Sequence, residues 1–283
     1  MKQRAEKNKT EIKNALSIDL EDWYQGVLQI DYKDWHRYEN RLERNLAVIL
    51  TLLNQHHVRA TFFVLGYIAD KFPELIKLIA KNGHEIASHG YCHRPVFEQT
   101  PEEFRQDVSR SKKAIESVTN FPVKGYRAPF FSITEKTLWA LDILNELGFK
   151  YDSSVFPTKN FLYGIPRAPQ AIYNINNGAM IEFPLSVIKK NKITVPICGG
   201  FYMRMLPYKL IKWGISSFNR SIGPAVIYLH PWELDLKKPK IEIPLPLKWR
   251  IIYECNIGAM RKKMERLVDD FKFAPISEVL FKE

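Results

Sequence analysis

The chain has 283 residues, 46% of them hydrophobic and 26% charged, and a formal net charge of +11 from 42 Lys and Arg against 31 Asp and Glu. This is ordinary globular composition with enough apolar content for a sizeable core, which excludes a disordered or low-complexity chain. No apolar run reaches the roughly 18–20 residues that span a bilayer, and three scattered cysteines (Cys92, Cys198, Cys255) exclude a disulfide framework.

The N-terminal stretch MKQRAEKNKTEIKN is polar and lacks the apolar core of a secretory signal, so the expectation is a cytoplasmic protein. The lysines Lys189, Lys190, Lys192, Lys237, Lys238 and Lys240 carry no aromatic-interleaved pattern, so the basic charge reads as a solubilising surface and no nucleic-acid partner is expected. Ala15 to Asp19 then reads as a short buried strand running into an acidic turn. Leu42, Leu46, Ile49, Leu50 and Leu53 recur at helical spacing, and Ala60 to Leu65 is a β-branched and aromatic strand. Pro73 opens a helix that stops at Asn82-Gly83, and His84 to Ser88 is the next strand. Thr100-Pro-Glu-Glu103 has the cap, proline and acidic first turn of a helix start, and Thr134 to Leu147 reads as helical. Phe149 to Asp152, Ile181 to Leu185 and Ala225 to Leu229 are further strands, and Met260 to Phe271 is a C-terminal helix.

Strands alternating with helices imply a parallel sheet covered by helices. Residues 157–180 and 186–210 break that rhythm and predict loops or extra strands. Leu206 to Trp213 is apolar and basic; it reads as a packed amphipathic helix, with peripheral membrane contact as the alternative. With no repeat or linker, residues 1–283 read as a single domain.

Parallel α/β folds place chemistry at the C-terminal ends of their strands. Here those ends carry Asp19-Leu-Glu-Asp22, Ser88-His-Gly-Tyr-Cys-His93, Arg127-Ala-Pro129 and His230-Pro231. Two histidines four residues apart after a strand, plus a carboxylate, make a ligand set for a divalent metal with positions left open for water. Cys92 is redundant beside His93. Asp19 and Glu21 share a face of an extended segment, whereas Asp22 needs the turn to bring it round.

Five ordered motifs, Ser17-Ile-Asp-Leu-Glu-Asp-Trp23, Ser88-His-Gly-Tyr-Cys-His93, Tyr126-Arg-Ala-Pro-Phe130, Tyr151-Asp-Ser-Ser-Val-Phe156 and Tyr228-Leu-His-Pro-Trp232, resemble the polysaccharide deacetylase (NodB-like, carbohydrate esterase family 4) pattern. The wider wording is similar to a branch associated with bacterial exopolysaccharide gene clusters, and the resemblance runs from about residue 14 to about 278. It implies a distorted (β/α) barrel of NodB type with about seven parallel strands. A polar tail (1–13) would precede it, and a family-specific extension (about 235–283) would pack on it. It implies hydrolysis of an N-acetyl group on an amino-sugar glycan or precursor. The divalent ion, expected to be zinc, would be held by Asp22, His89 and His93. Asp19 would be the general base, paired with Arg127, His230 the general acid, and the Phe130 backbone N–H an oxyanion donor. Tyr126, Asp152 and Trp232 would line the substrate site.

Two departures from the family pattern stand out. The first motif is spaced, so Glu21 could replace Asp19 as base or Asp22 as ligand. The fourth motif has Val155 where an aspartate usually tunes the acidic histidine, leaving His230 without its usual partner. Asp152 could equally belong to a strand-end turn. Gly199-Gly-Phe-Tyr202 could let a sugar approach the backbone or could be a tight turn. Hydrolysis of another linear or cyclic amide, and a catalytically silent glycan-binding protein, are the competing functions; the second requires loss of a site residue, and none is missing.

Overall fold

A computed structural model describes residues 12–26, 28, 30–159, 164–191, 193–240 and 245–281. The expected N-terminal polar tail lies, up to residue 11, outside the described residues.

In chain order the elements are β1 (Lys13–Leu20), α1 (Leu42–Gln55), β2 (Thr61–Val64), α2 (Gly66–Lys71), α3 (Pro73–Lys81), β3 (Glu85–Ser88) and α4 (Pro101–Thr119). There follow β4 (Gly125–Tyr126), α5 (Trp139–Glu146), β5 (Tyr151–Asp152), β6 (Tyr173–Ile175), β7 (Met180–Glu182), β8 (Val187–Lys190) and β9 (Ile193–Pro196). The last are α6 (Gly200–Met205), α7 (Tyr208–Ser221), β10 (Val226–Leu229), α8 (Leu247–Glu254), α9 (Met260–Asp270), β11 (Lys272–Ala274) and α10 (Ile276–Leu280).

The main sheet runs β10-β1-β2-β3-β4-β5-β7-β6, with β11 also paired to β1. Every pairing from β10 to β7 is parallel, and only the edge strand β6 runs antiparallel. The sheet curls into an open half-barrel, the distorted barrel expected from the motifs. The residues flanking a separate β8–β9 hairpin bond to β10: Tyr228 donates its N–H to the Cys198 carbonyl (2.7 Å) and Val226 to Ser186 Oγ (2.9 Å).

Burial explains why these segments are strands. Residues 14–20 of β1 and all of β2 and β10 are buried, as near-continuous apolar runs must be when a sheet is covered on both faces. Helix α1 turns Leu42, Leu46, Ile49, Leu50 and Leu53 onto the sheet. Helix α4 begins at the cap expected at Thr100, which Glu103 completes into a capping box.

The structure departs from the sequence reading at one helix start. The helix expected from Thr134 starts only at Trp139, because the Thr137 hydroxyl bonds to the Ser132 carbonyl and receives the Thr134 N–H, holding a turn. The stretch after 186, expected to hold loops or extra strands, carries the β8–β9 hairpin and α6, and α7 lies where the amphipathic helix was expected. Among the described residues no helix is long and apolar enough to cross a membrane.

Candidate active site

The C-terminal ends of β1, β3, β4 and β10 bring the expected polar residues to one cleft of about 610 Å³, lined by Asp19, Glu21, His89, His93, Phe130 and His230 among others. Asp19, the penultimate residue of β1, is 1% exposed. Its Oδ1 receives Arg127 Nη1 at 2.7 Å, which leaves Oδ2 facing His230 Nε2 across 4.0 Å. Arg127 is itself fully buried. Nη1 also donates to Ser17 Oγ (2.7 Å), Nη2 to Ser153 Oγ (3.0 Å) and Nε to the Ser153 carbonyl (3.0 Å). Its guanidinium carbon lies 4.1 Å from the centre of the Phe63 ring. A guanidinium satisfied on this many sides offsets its desolvation and fixes the carboxylate in both charge and direction.

The first acidic motif sorts differently from the expected assignment. Glu21 is the carboxylate that lies beside the two histidines, its Oε1 being 3.1 Å from His89 Nε2 and 2.8 Å from His93 Nε2. Asp22 is turned away. Its Oδ1 takes the Trp23 N–H (2.8 Å) and its Oδ2 the Arg41 N–H (2.7 Å) at the start of α1. The reason is the turn after β1: strand geometry points Asp19 and Glu21 to the same side, and the next residue points elsewhere. Burial pushes the Asp22 carboxyl up to about 6. Glu21 stays well below the usual carboxylate range: burial works against its charge, but the His93 and His230 charges and hydrogen bonds from His89 and His93 outweigh it.

Glu21, His89 and His93 could hold a metal ion, since one ligand atom from each lies within 4.8 Å of the others. The hydrogen-bond inventory supports the fit. His89 Nδ1 contacts the Arg127 carbonyl at 2.7 Å. A carbonyl only accepts, so Nδ1 carries the proton and the Nε2 of a neutral ring presents a lone pair to Glu21. His93 Nδ1 is buried without a hydrogen-bond partner, and Nε2 faces Glu21. The carboxylate oxygen and the two ring nitrogens converge on one point, where a cation would satisfy all three. Burial lowers the His93 pKa, favouring the neutral, ligating form.

His230 follows β10 and is 20% exposed at its side chain. The sequence left its partner open, and the structure supplies Glu233, one turn on. Glu233 Oε2 accepts from His230 N (3.0 Å) and Nδ1 (3.2 Å), so Nε2 faces the cleft. Behind Glu233, the buried Arg204 donates Nε to Oε1 at 2.8 Å. Burial opposes the His230 charge, but Glu21, Glu233 and Asp19 push its pKa up to about 9. Burial likewise opposes the Glu233 charge, and Arg204 and His230 bring that carboxyl down to about 2. His-x-x-Glu at a strand end was the signal available for Glu233; Arg204 had none, since its part depends on α6 packing beside β10.

Other expected site residues distribute unevenly. Trp232 lines the cleft and stacks between His230 (5.4 Å) and Tyr253 (5.2 Å). Phe130 lines it too, its ring 4.6 Å from His93, with its backbone held left-handed at φ 55° and ψ 17°. That region is costly for an aromatic residue and persists only where the surroundings impose it. Tyr126 and Asp152 are not brought to the cleft. Tyr126 is 1% exposed and packs edge-on against Phe104 and Phe149. Asp152 is a strand-end brace: Oδ1 accepts from Ser154 Oγ (2.6 Å), which receives the Ala128 N–H (2.7 Å) and so supports the Arg127-Ala-Pro turn. Cys92 faces Asp107 Oδ1 (3.2 Å), outside the ligand cluster.

Two family matches divide the chain: "Polysaccharide deacetylase" over residues 33–151 and "Domain of unknown function (DUF3473)" over residues 153–281. The chain thus contains a polysaccharide deacetylase domain followed by a DUF3473 region. That region begins well before the extension expected from about residue 235, and it supplies β10, His230, Glu233 and Arg204. A peptidoglycan-N-acetylglucosamine deacetylase of Bacillus cereus is 37% identical over 95 residues, 33% of this chain and 34% of the relative. A chitooligosaccharide deacetylase of a Bradyrhizobium species is 36% identical over 98 residues, 34% of this chain and 42% of the relative. The matched stretch is thus well under half the length of those relatives. Among solved structures, a putative polysaccharide deacetylase from Mycobacterium smegmatis superposes with a TM-score of 0.61 at 22% identity, covering 95% of this chain and 90% of that one. A CE4 family pseudoenzyme from Bacillus anthracis superposes at 0.51 and 16% identity, over 96% of this chain and 66% of that one. These likenesses establish the shared fold.

Proposed function

We propose that the protein is a metal-dependent hydrolase that removes the acetyl group from an N-acetylated amino sugar in a glycan or glycan precursor. The observation that carries this reading is the convergence in one cleft of a Glu21/His89/His93 cluster, an Asp19 clamped by Arg127, and a His230 backed by Glu233. Relatives named as deacetylases of peptidoglycan and chitooligosaccharide support the substrate class.

Each residue has a distinct task. Glu21, His89 and His93 hold a divalent ion, and this donor set suits zinc while leaving positions open. When bound, that ion polarises the amide carbonyl and brings a water's pKa down towards roughly 7. Asp19 takes the water proton through its free Oδ2, and Arg127 holds it charged and aimed. The Phe130 N–H stabilises the oxyanion, a contribution on the order of 3–4 kcal/mol for a well-placed donor. His230 delivers a proton from Nε2 to the departing nitrogen, which leaves poorly without one. Burial opposes the charge on His230, and the carboxylates of Glu21, Glu233 and Asp19 outweigh it, so the ring holds the proton it donates.

The test is acetate release from N-acetylglucosamine oligomers by purified protein, with chelator and with added metal. Release should require metal and vanish in His89→Ala. Full activity in metal-free protein would sink the reading. A bound metal with turnover of a cyclic ureide, and no acetate from any acetylated sugar, would replace it with hydrolysis of another amide. Glycan binding with no metal and no turnover would replace it with a silent binding protein.

A further inference from the structure

One short helix reaches His230 by two paths. The first is ionic and runs through Arg204, which is 1% exposed. Its Nε donates to Glu233 Oε1 at 2.8 Å, while Nη1 and Nη2 donate to the Cys255 and Ile252 carbonyls at 2.6 Å each. Those carbonyls close α8, where the last turn leaves C=O groups without intrahelical partners and a cation is favoured. A single guanidinium thus joins the end of α8 to the carboxylate that orients His230. The second path is aromatic: Tyr253 of α8 stacks on Trp232 at 5.2 Å, and Trp232 stacks on His230 at 5.4 Å.

The same helix faces the cleft. Trp249 and Ile252 line it together with His230, Trp232 and Glu233, and Ile252 is also the residue whose carbonyl binds Arg204. The rest of the fold holds α8 lightly. It has 8 residues, of which only Tyr253 is buried, and an isolated helix shorter than roughly 12–15 residues is marginal. A sugar ring lying against Trp249 and Ile252 adds apolar contact to a helix that has little of it, and so fixes the carbonyls that Arg204 grips. Binding energy from a remote part of a substrate, when it goes into positioning a reacting group, raises kcat and leaves KM little changed.

We propose that α8 and Arg204 read the length of the glycan: a sugar unit beyond the one being deacetylated seats α8, and Arg204 and Tyr253 carry that order through Glu233 and Trp232 to His230. Arg204 acts through Glu233 and is a positioning residue. The inference rests on the deacetylase reading and narrows its substrate to chains of more than one sugar.

The test measures acetate release by zinc-loaded protein from chitobiose and from chitotetraose. kcat for the tetramer should exceed that for the dimer by about tenfold or more, with KM within about threefold. Arg204→Lys keeps the charge but puts one ammonium in place of a fork that reaches Glu233 and two carbonyls, and should bring the kcat ratio to about one. Trp249→Ala should do the same by removing the outer contact with Arg204 intact, and it decides the matter if the buried substitution does not fold. A tetramer advantage that lies in KM alone, or an equal loss of kcat on both substrates in these variants, overturns the proposal. A second readout needs no turnover. Glucosamine tetraose, the product, should shift the magnetic-resonance signals of the His230 ring nitrogens in the parent and move them much less in Trp249→Ala, both at saturation. That difference, with no acetate from either substrate, sinks the deacetylase reading and keeps the coupling. Equal shifts in the two proteins, or none, overturn the coupling itself.

Discussion

Asp22 and Glu21 are neighbours with opposite electrostatic settings, and the difference is testable. Asp22 accepts two backbone N–H groups and carries a carboxyl pushed up by burial to about 6, whereas Glu21 is held ionised against two histidines. Metal binding should therefore be lost in Glu21→Gln and retained in Asp22→Asn, read by metal content after dialysis; retention in Glu21→Gln with loss in Asp22→Asn would restore the original ligand assignment. Glu233 makes the complementary pH prediction. Its folded-state pKa of about 2 lies below the ordinary 4.5, so its ionised form contributes stability above pH 4.5 that is lost as pH falls from 4.5 towards 2. The contribution is on the order of 3 kcal/mol. Metal-free Glu233→Gln should be less stable than the parent near pH 7, with the gap closing below pH 3, as measured by urea midpoints. Most of these site residues were legible in the sequence because acids and histidines at strand ends are few. The choice between Glu21 and Asp22 was not, because it turns on the path of the chain after β1.

Two glycines show how an element is shaped by the site it supports. At Gly200, which opens α6, an added Cβ would sit 2.0 Å from Glu233 Oε2 and 2.2 Å from Oε1. At Gly199 it would lie 2.3 Å from the Tyr228 ring. The Gly-Gly pair thus makes room for the carboxylate behind His230 and for the cleft wall, so the close approach the sequence suggested is made by the protein's own side chains. Gly200→Ala should displace Glu233 and lower kcat ten- to hundredfold with a much smaller change in KM, since misplacing a catalytic group by about 1 Å can cost that much. Glu233→Gln should show the same split with metal content unchanged in both. A rise in KM alone would instead assign the glycines to substrate contact. Strands and helices with strong periodicity were readable, and extra strands were expected where β8 and β9 lie; α6 was not readable, because short elements declare themselves through packing partners distant in sequence.

At the scale of the whole molecule, the two family regions share one sheet. β1 lies between β10 on one side and β2 on the other, and β11 adds to its N-terminal end through Lys13, Asn14 and Ala15. The last helix then fastens to strands of the first region: Ile276 donates its N–H to Thr61 Oγ1 (2.7 Å) and Ser277 to Glu85 Oε2 (3.1 Å). Separating the regions would strip the partner from β1 and expose the fully buried Val226, Ile227 and Ile276. A sheet edge so exposed offers unpaired N–H and C=O groups along a hydrophobic strand and is prone to aggregate. We therefore expect the regions to unfold together, in one calorimetric transition whose van't Hoff and calorimetric enthalpies agree. Ile276→Ala should lower the stability of that single transition by about 2–4 kcal/mol, and a chain ending at residue 152 should be insoluble or unfolded. Two transitions, with only one shifted by Ile276→Ala, would mean that the polysaccharide deacetylase and DUF3473 regions are separate folding units, and that His230 is brought to Asp19 by docking rather than by a common sheet.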